Sequence, residues 1–557
     1  MNDQDRPNYW LQRPLRRRRL LTGFGVAGAG ALGLALVGCG GDDDSGGPAT
    51  PNLQNAPTPL PTVAKTIKRG GKHTAVWETE PLGQFDPHLV TSGFVVPASM
   101  ALYDGYLRQN PAKLSEIIPG LAEKWEQPDP VTFVLTLRKG VKFHDGTDYN
   151  SEIAKWNAER ILGKGFVSEG KYSGVAAGLT KIETPDPSTI KFTFDKQKVD
   201  SIEAFYFAGG GIGGTVSRKA AEAAGKDFWK NPVGTGPYLF KSWDVGSKIV
   251  LVPNPNYFEK VEGQAVPFID EFNFIALPDP AVRVVNVKNG QVSSTKIEVD
   301  QVKDVESKDI YIVNGGPEPL QIYMNHQSGI FKDVNIRRAL AYAVDREALA
   351  KTVFFGQAQP TLGIPKRSKW NDPTFTAYAF DPKKAKEAMT AGGMPNGFSF
   401  EVMVLPTGIR PKAVEFIQAQ VAPLGIKIEI RPMESAAYVD RLFTRGEGDA
   451  FFALTGTLGL TEAAGFEANG GPLPSRKSNP NDPKMTEFID NIKATFDPEA
   501  RKKIIWDAQR YHFYDLVAVV PVVDAFRPHA VRADWQGFSM APPDSFYPDY
   551  RGVRLTS

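Results

Sequence analysis

The chain contains a single cysteine, Cys39, among 557 residues, and that one fact closes off several kinds of fold. A lone thiol forms no intramolecular disulfide, and it supports neither a Cys-rich zinc site nor an iron–sulfur cluster. A chain of this length must then hold itself together by packing. With 41% hydrophobic and 23% charged residues it can build a sizeable core, spread over roughly two to four domains. Its 53 glycines and 44 prolines demand many turns and long connections, which argues against a simple array of helices.

The surroundings of Cys39 give it a purpose. Residues 1–38 hold Arg6, Arg13, Arg16, Arg17, Arg18 and Arg19 against Asp3 and Asp5, a charge of +4. The whole chain is +2, so the remainder is −2, with no sign of a nucleic-acid-binding surface. An uncharged, glycine-diluted stretch from Leu20 to Val37 follows the arginines. A basic segment, an apolar segment and a small residue before a cleavage point describe an export signal. Arg17-Arg18-Arg19-Leu20-Leu21 resembles the twin-arginine export motif, and Leu36-Val37-Gly38-Cys39 resembles the bacterial lipobox. The expectation is a signal peptide over 1–38, lipid on Cys39, and a disordered Gly/Asp/Ser- then Pro-rich tether over 39–68. The competing reading is an uncleaved transmembrane anchor, for which Leu20–Val37 is near the lower limit of length.

In the body, alternation of apolar and polar residues predicts strands at Thr132–Leu137, Thr189–Phe194, Lys248–Val252 and Ser399–Val404. Helical patterns occupy Ser151–Leu162, Asn335–Thr352, Pro382–Ala391, Lys412–Ala422 and Pro498–Phe513. The class is α/β or α+β with more than one sheet. No G-x-S-x-G elbow, H-E-x-x-H motif or P-loop is present, and the six histidines show no paired metal-ligand spacing. The G-x-G-x-x-G match at Gly209–Gly214 lacks a clear βαβ unit. These features favour binding over chemistry, with no cofactor and no metal.

Several segments, in order, resemble the family 5 extracellular solute-binding proteins, the dipeptide/oligopeptide/nickel-binding components of ABC importers. They include Pro119–Glu126, Phe133–Gly146 with its His144-Asp145-Gly146 turn, Pro232–Tyr238 with Gly234-Thr235-Gly236-Pro237-Tyr238, and Asn254–Tyr257. Met324-Asn325, Phe331–Asp333, Ile336–Arg346, Asp381–Ala385 and Leu424–Ile426 continue the likeness to the second half. The motif residues also make sense as scaffold: Gly140 and Gly146 suit turns, and Asp333 suits a helix N-cap. Ile336, Leu340, Ala343 and Val344 form an apolar face, which leaves Arg337, Arg338, Asp345 and Arg346 as solvated or interlobe charges.

The resemblance implies a type II periplasmic-binding-protein architecture, two lobes with a hinge and an extra subdomain. Lobe I is placed at 69–318 with the return segment 514–557 and a subdomain within 108–205, and lobe II at 319–513. A small-molecule or peptide solute would be held between the lobes of a monomer and delivered to ABC permease subunits with their ATPase. Peptide-binding members pair the peptide ammonium with an Asp in a W-x-x-D stretch, which is absent from Thr455–Glu467 here. That departure weakens a peptide assignment and favours a neutral or anionic solute; oligosaccharide, opine and metal chelate are the alternatives. A hydrolase or a ligand sensor on the same scaffold is the rival reading. The resemblance places candidate ligand contacts at Thr79, Glu80 and Phe94 in lobe I, and at Tyr323, Asn325, Phe354, Phe355, Trp370, Arg410, Tyr438, Phe451, Glu462, Phe466 and Glu467 in lobe II. Mass spectrometry of the membrane-extracted protein should find the N-terminus at an acylated Cys39; residues 1–38 still attached would return the anchor to a transmembrane span.

Overall fold

The computed structural model describes residues 67–77, 85–88, 96–110, 113–163, 178–196, 202, 205, 214–327, 329–364, 368, 370–434, 437–438, 440–445, 447–454, 482–541 and 547–556. The signal, Cys39 and nearly all of the tether therefore lie outside the described residues. Among the described residues, eleven strands form one large sheet. In chain order they are β1 (Lys72–Trp77), β2 (Tyr238–Asp244), β3 (Lys248–Pro253), β4 (Glu271–Ala276), β5 (Ser294–Lys296), β6 (Ile310–Met324), β7 (Ala358–Pro360), β8 (Ser399–Val404), β9 (Lys427–Pro432), β10 (Ala450–Leu454) and β11 (Val519–Arg532). The spatial order is β9-β8-β10-β6-β11-β5-β1-β4-β3-β2, with β7 paired to β11. One end of the sheet contains the parallel trio β9, β8, β10, and the other the parallel trio β5, β1, β4. Between them run the two long strands β6 and β11, antiparallel to each other.

The two ends carry separate apolar cores. The larger collects Leu320, Leu340, Phe400, Val404, Ile417, Ile489 and the Val519–Val523 stretch. A second, near the β1 end, packs Leu102, Tyr103, Tyr238, Phe272, Val531 and Trp535. β6 and β11 contribute to both: Ile322 and Val520 to the first, Tyr311 and Val531 to the second. A third core lies under a four-stranded antiparallel sheet that includes Thr132–Leu137 and Thr189–Phe194 and a helix at Ser151–Ile161. In those strands Phe133, Leu135, Ile190 and Phe192 point inward at alternate positions, as the pattern requires.

Most predicted elements fall where expected, and one differs for a clear reason. The single helix expected over Asn335–Thr352 is two, Val334–Ala343 and Arg346–Thr352. Val344 is extended between them, and Asp345 caps the second by accepting from Ala348 N–H at 3.0 Å. The expected charges of that stretch also need correction, since Arg337 and Arg346 are buried rather than solvated. Arg337 donates to the carbonyls of Phe331, Lys332 and Leu516, and Arg346 to those of Ala341, Val344, Tyr378 and Pro521. Carbonyl dipoles replace water around each guanidinium, which makes burial tolerable, and desolvation lowers both pKa values to about 10.

The signature turns lock onto one another. His144 accepts from Gly234 N–H at Nδ1 (3.2 Å) and, through Nε2 at 3.0 Å, donates to Gly236 O, which fixes a neutral Nε2–H tautomer. Asp145 takes a hydrogen bond from Ser217 at 2.6 Å. Gly236 lies so close to the backbone of Ala101 and Leu102 that a Cβ would come within 2.5 Å of Leu102 C. The motifs thus join the 140s turn, the 230s turn and the segment after the Val96–Leu102 helix. Gly236→Ala should therefore cost about 1–3 kcal/mol by overpacking, read as a lower urea midpoint; an unchanged midpoint would contradict the packing described.

Buried titratable groups set the pH response. Burial pushes His73 and His512 down to about 3, and His88 and His144 to about 4. An unfolded chain protonates these imidazoles below about pH 6.5 while the folded chain does not, so they make stability rise with pH from about 4 to 6.5. Burial pushes Asp104 and Asp549 up to about 7, so the folded state holds protons there that the unfolded state releases above about pH 4. Those two carboxyls act in the opposite sense and are outnumbered. The free energy of unfolding should be larger at pH 7 than at pH 5; the reverse order in urea melts would contradict this balance.

Candidate functional site

In an open α/β sheet ligands sit outside the carboxyl ends of parallel strands, where the connecting loops diverge. This sheet has two such sets of ends, and the described contacts bring them together. β8 is buried through Val402, Met403 and Val404 and then turns at Pro406-Thr407-Gly408, where Gly408 takes a φ of 65°. Arg410 opens the Arg410–Val421 helix, with Pro411 fixing its first turn, and is half-buried. At the other set, β5 ends at Lys296 and leads into Glu298 and Asp300. A Cβ on Gly408 would lie 3.4 Å from Glu298 Oε2, and Lys412 Nζ is 2.8 Å from Asp300 Oδ2. The hydrogen bond from Lys412 to Asp300 raises the lysine pKa. The carboxyl end of β8 therefore faces the carboxyl end of β5 across a narrow gap bridged by this ion pair.

Glu298 is itself anchored. Its Oε1 is 3.4 Å from Arg283, whose guanidinium is buried and also donates to the carbonyls of Leu277, Pro278 and Lys296. The carboxylate side of the gap is thus held by a fixed cation, and the other side carries Arg410 and Lys412. Polar groups of both signs line one opening.

Three of the sequence-predicted residues form a single aromatic stack near that end of the sheet. Tyr323 of β6 and Phe451 of β10 are direct cross-strand partners, with rings parallel within 5° and 4.6 Å apart. Tyr438 meets Phe451 edge-on at 6.4 Å. Around them Met403, Leu405, Met433 and Ala453 form a small apolar cluster that adjoins the main core, to which Tyr323 itself belongs. Phe451 and Leu405 keep part of their surface exposed, which provides an apolar wall beside the charged gap.

The other candidates are distributed differently. Asn325 bonds Gly448 O through Nδ2 and accepts from Gln327 N–H, so it ties the end of β6 to the approach to β10. Phe354 is fully buried and Trp370 nearly so, both within the main core; as placed, neither has surface to offer a solute. The neighbouring Phe355 is 46% exposed at a positive φ of 53°. Thr79, Glu80, Phe94, Glu462, Phe466 and Glu467 lie outside the described residues. Sequence reasoning missed Glu298, Asp300 and Lys412 as a bridging set, because Lys412 and Asp300 are 112 positions apart and neither belongs to a motif. Among the described residues no group of three or more His, Cys, Asp or Glu could hold a metal ion. No helix among them is long and apolar enough to cross a membrane.

The family model for bacterial extracellular solute-binding proteins, family 5 (middle), matches residues 116–472, more than half of the chain. Glutathione-binding protein GsiB of Salmonella choleraesuis (strain SC-B67) is 27% identical over 397 residues, covering 68% of this chain and 75% of that protein. The ABC transporter-associated periplasmic binding protein DppA of Helicobacter pylori, solved with the peptide STSA, aligns with a TM-score of 0.74 at 23% identity over 88% of this chain and 99% of its own. The periplasmic binding protein AgaA of A. tumefaciens R10, solved with agropinic acid, gives 0.72 at 25% identity over 87% and 99%. At 23% the DppA likeness carries the fold alone, which is the two-lobed α/β fold of type II periplasmic binding proteins. The chain belongs to family 5 of the bacterial extracellular solute-binding proteins.

Proposed function

We propose that the chain is the lipid-anchored, extracytoplasmic solute receptor of an ABC importer. It captures a peptide-like or other small polar solute between two lobes and hands it to a membrane permease. On this reading lobe I is 69–318 with 514–557 and a subdomain within 108–205, and lobe II is 319–513. The observation that carries the reading is the meeting of the two sets of strand ends, with Arg410 on one side and the anchored Glu298 on the other. A solute with separated charges, or a carboxylate alone, suits such a gap, because guanidinium–carboxylate pairing is bidentate and directional. Relatives named for binding glutathione, and a relative of known structure holding agropinic acid, support a carboxylate-bearing solute.

Closure would bring the lobes together on the solute and shed water, strengthening each polar contact. The Lys412–Asp300 pair adds little on its own, since Lys412 is 62% exposed. Lipid on Cys39 would keep the receptor near its permease, two or more acyl chains giving stable attachment.

A thermal-shift screen of the full-length chain against glutathione, dipeptides, opines, oligosaccharides and metal–histidine chelates should return at least one stabilising solute. For a carboxylate-bearing hit, Arg410→Ala should weaken binding about tenfold or more, the usual loss for one charge-assisted hydrogen bond. A broad panel with no hit, or a hit indifferent to Arg410→Ala, would count against the proposed site.

A further inference from the structure

The larger core carries a second concavity, distinct from the gap between the strand ends. A cavity of about 380 Å³ opens between the start of the Arg346–Thr352 helix, the loop after β7, the segment around Asp372–Phe380 and Gln509 near the end of the Pro498–Arg510 helix. Its lining comes from the β9-β8-β10 half alone, whereas the gap takes residues from both halves. The volume is at the lower end of the range for ligand pockets.

Two buried side chains lining it are only partly satisfied. Gln509 is fully buried; its Oε1 accepts weakly from Asp372 N–H at 3.5 Å, and its Nε2 has no hydrogen-bond partner among the described residues. Native proteins seldom leave a buried amide donor unmade, because its desolvation is then uncompensated. Arg346, only 5% exposed, spends Nε and Nη1 on four carbonyls and makes no hydrogen bond through Nη2 among the described residues. Both residues line the cavity, and each keeps one nitrogen that makes no hydrogen bond among the described residues. Gly363 leaves Gln509 room: a Cβ there would lie 3.1 Å from both Gln509 Nε2 and a Phe375 ring carbon.

The remaining lining defines the rest of an occupant. Asp345, Glu347 and Asp372 set three carboxylates against the one guanidinium, which disfavours a simple anion and attracts a cationic group. Phe375 and the 46% exposed Phe380 supply an apolar wall that reaches solvent. We propose that this cavity is a second binding site, for a zwitterionic amino acid with an apolar side chain. Its carboxylate accepts from Gln509 and Arg346, its ammonium faces the three carboxylates, and its side chain lies on the two phenylalanines. Arg346 also holds Pro521 O of β11 at 2.7 Å, so the occupant touches the group that pins a strand shared by both cores.

Calorimetric titration of the full-length chain with L-leucine tests this, with L-leucinamide and isovalerate as probes lacking one charge each. Saturable binding of one leucine is expected, with both analogues weaker. Gln509→Leu and Gly363→Ala should each weaken leucine about tenfold or more, while Arg410→Ala leaves it unchanged. Gln509→Leu should also keep or raise the thermal midpoint, since it replaces an unpaired buried amide with a similar apolar shape; it decides alone should Gly363→Ala not fold. Absence of saturable binding, or binding lost in Arg410→Ala and retained in the cavity variants, would overturn the proposal.

Discussion

The antiparallel pairing of β6 with β11 is the interaction on which the rest of the arrangement depends. Each strand starts in one core and ends in the other, so both halves of the sheet hang on the same ladder of backbone hydrogen bonds. The ladder is not uniform. Its register shifts between Gly315 and Glu318 and again between Leu320 and Gln321, where unpaired residues bend and twist a strand. β7 braces this stretch, pairing Ala358 with Ala525 while Gln357 O accepts from Phe526 N–H at 2.9 Å. A change of angle between the halves is absorbed most cheaply at the two irregularities, because the flanking segments are regular and packed into separate cores. The site follows from the same constraint, since strands that run through both halves leave the ends of two parallel trios facing one another.

Conserving that geometry calls for stiff halves, and the buried polar groups supply stiffness. Arg160 is held by Asp86 at 2.5 Å and reaches Nδ1 of His88, whose Nε2 donates to Gly214 O, a buried chain of polar contacts. Arg108, Glu259, Tyr257, Asp104, Asp549 and Arg551 form another, tying the C-terminal segment to the residues after the Val96–Leu102 helix. Removing one member of either network strands a charge out of water, a larger loss than the pair itself contributes.

Much of the fold was legible because it rests on local pattern. Thr189–Phe194 alternates Ile190, Phe192 and Phe194 inward, and Pro382–Ala391 begins with a proline behind the capping Asp381. The His144 and Gly234–Gly236 segments were readable as scaffold, though not as partners of each other. What stayed hidden depends on tertiary position. Nothing in Ile336–Arg346 tells a solvated arginine from one enclosed by carbonyls contributed by Leu516 and Pro521. The aromatic stack was half legible: Tyr323, Tyr438 and Phe451 could each be named, but their convergence needs the β6–β10 register. Phe354 and Trp370 carried the same signal and lie in the main core away from that stack. Gln509 gave no signal, since an unpaired amide is a property of its surroundings.

The most direct test of the central claim is a crystal structure of the chain purified from its own cells with whatever solute it retains. The account predicts solute density in the gap between the ends of β8 and β5, contacting Arg410, with β6 and β11 continuous across both halves. Solute bound only elsewhere on the protein, or a gap filled by side chains in every copy, would contradict it.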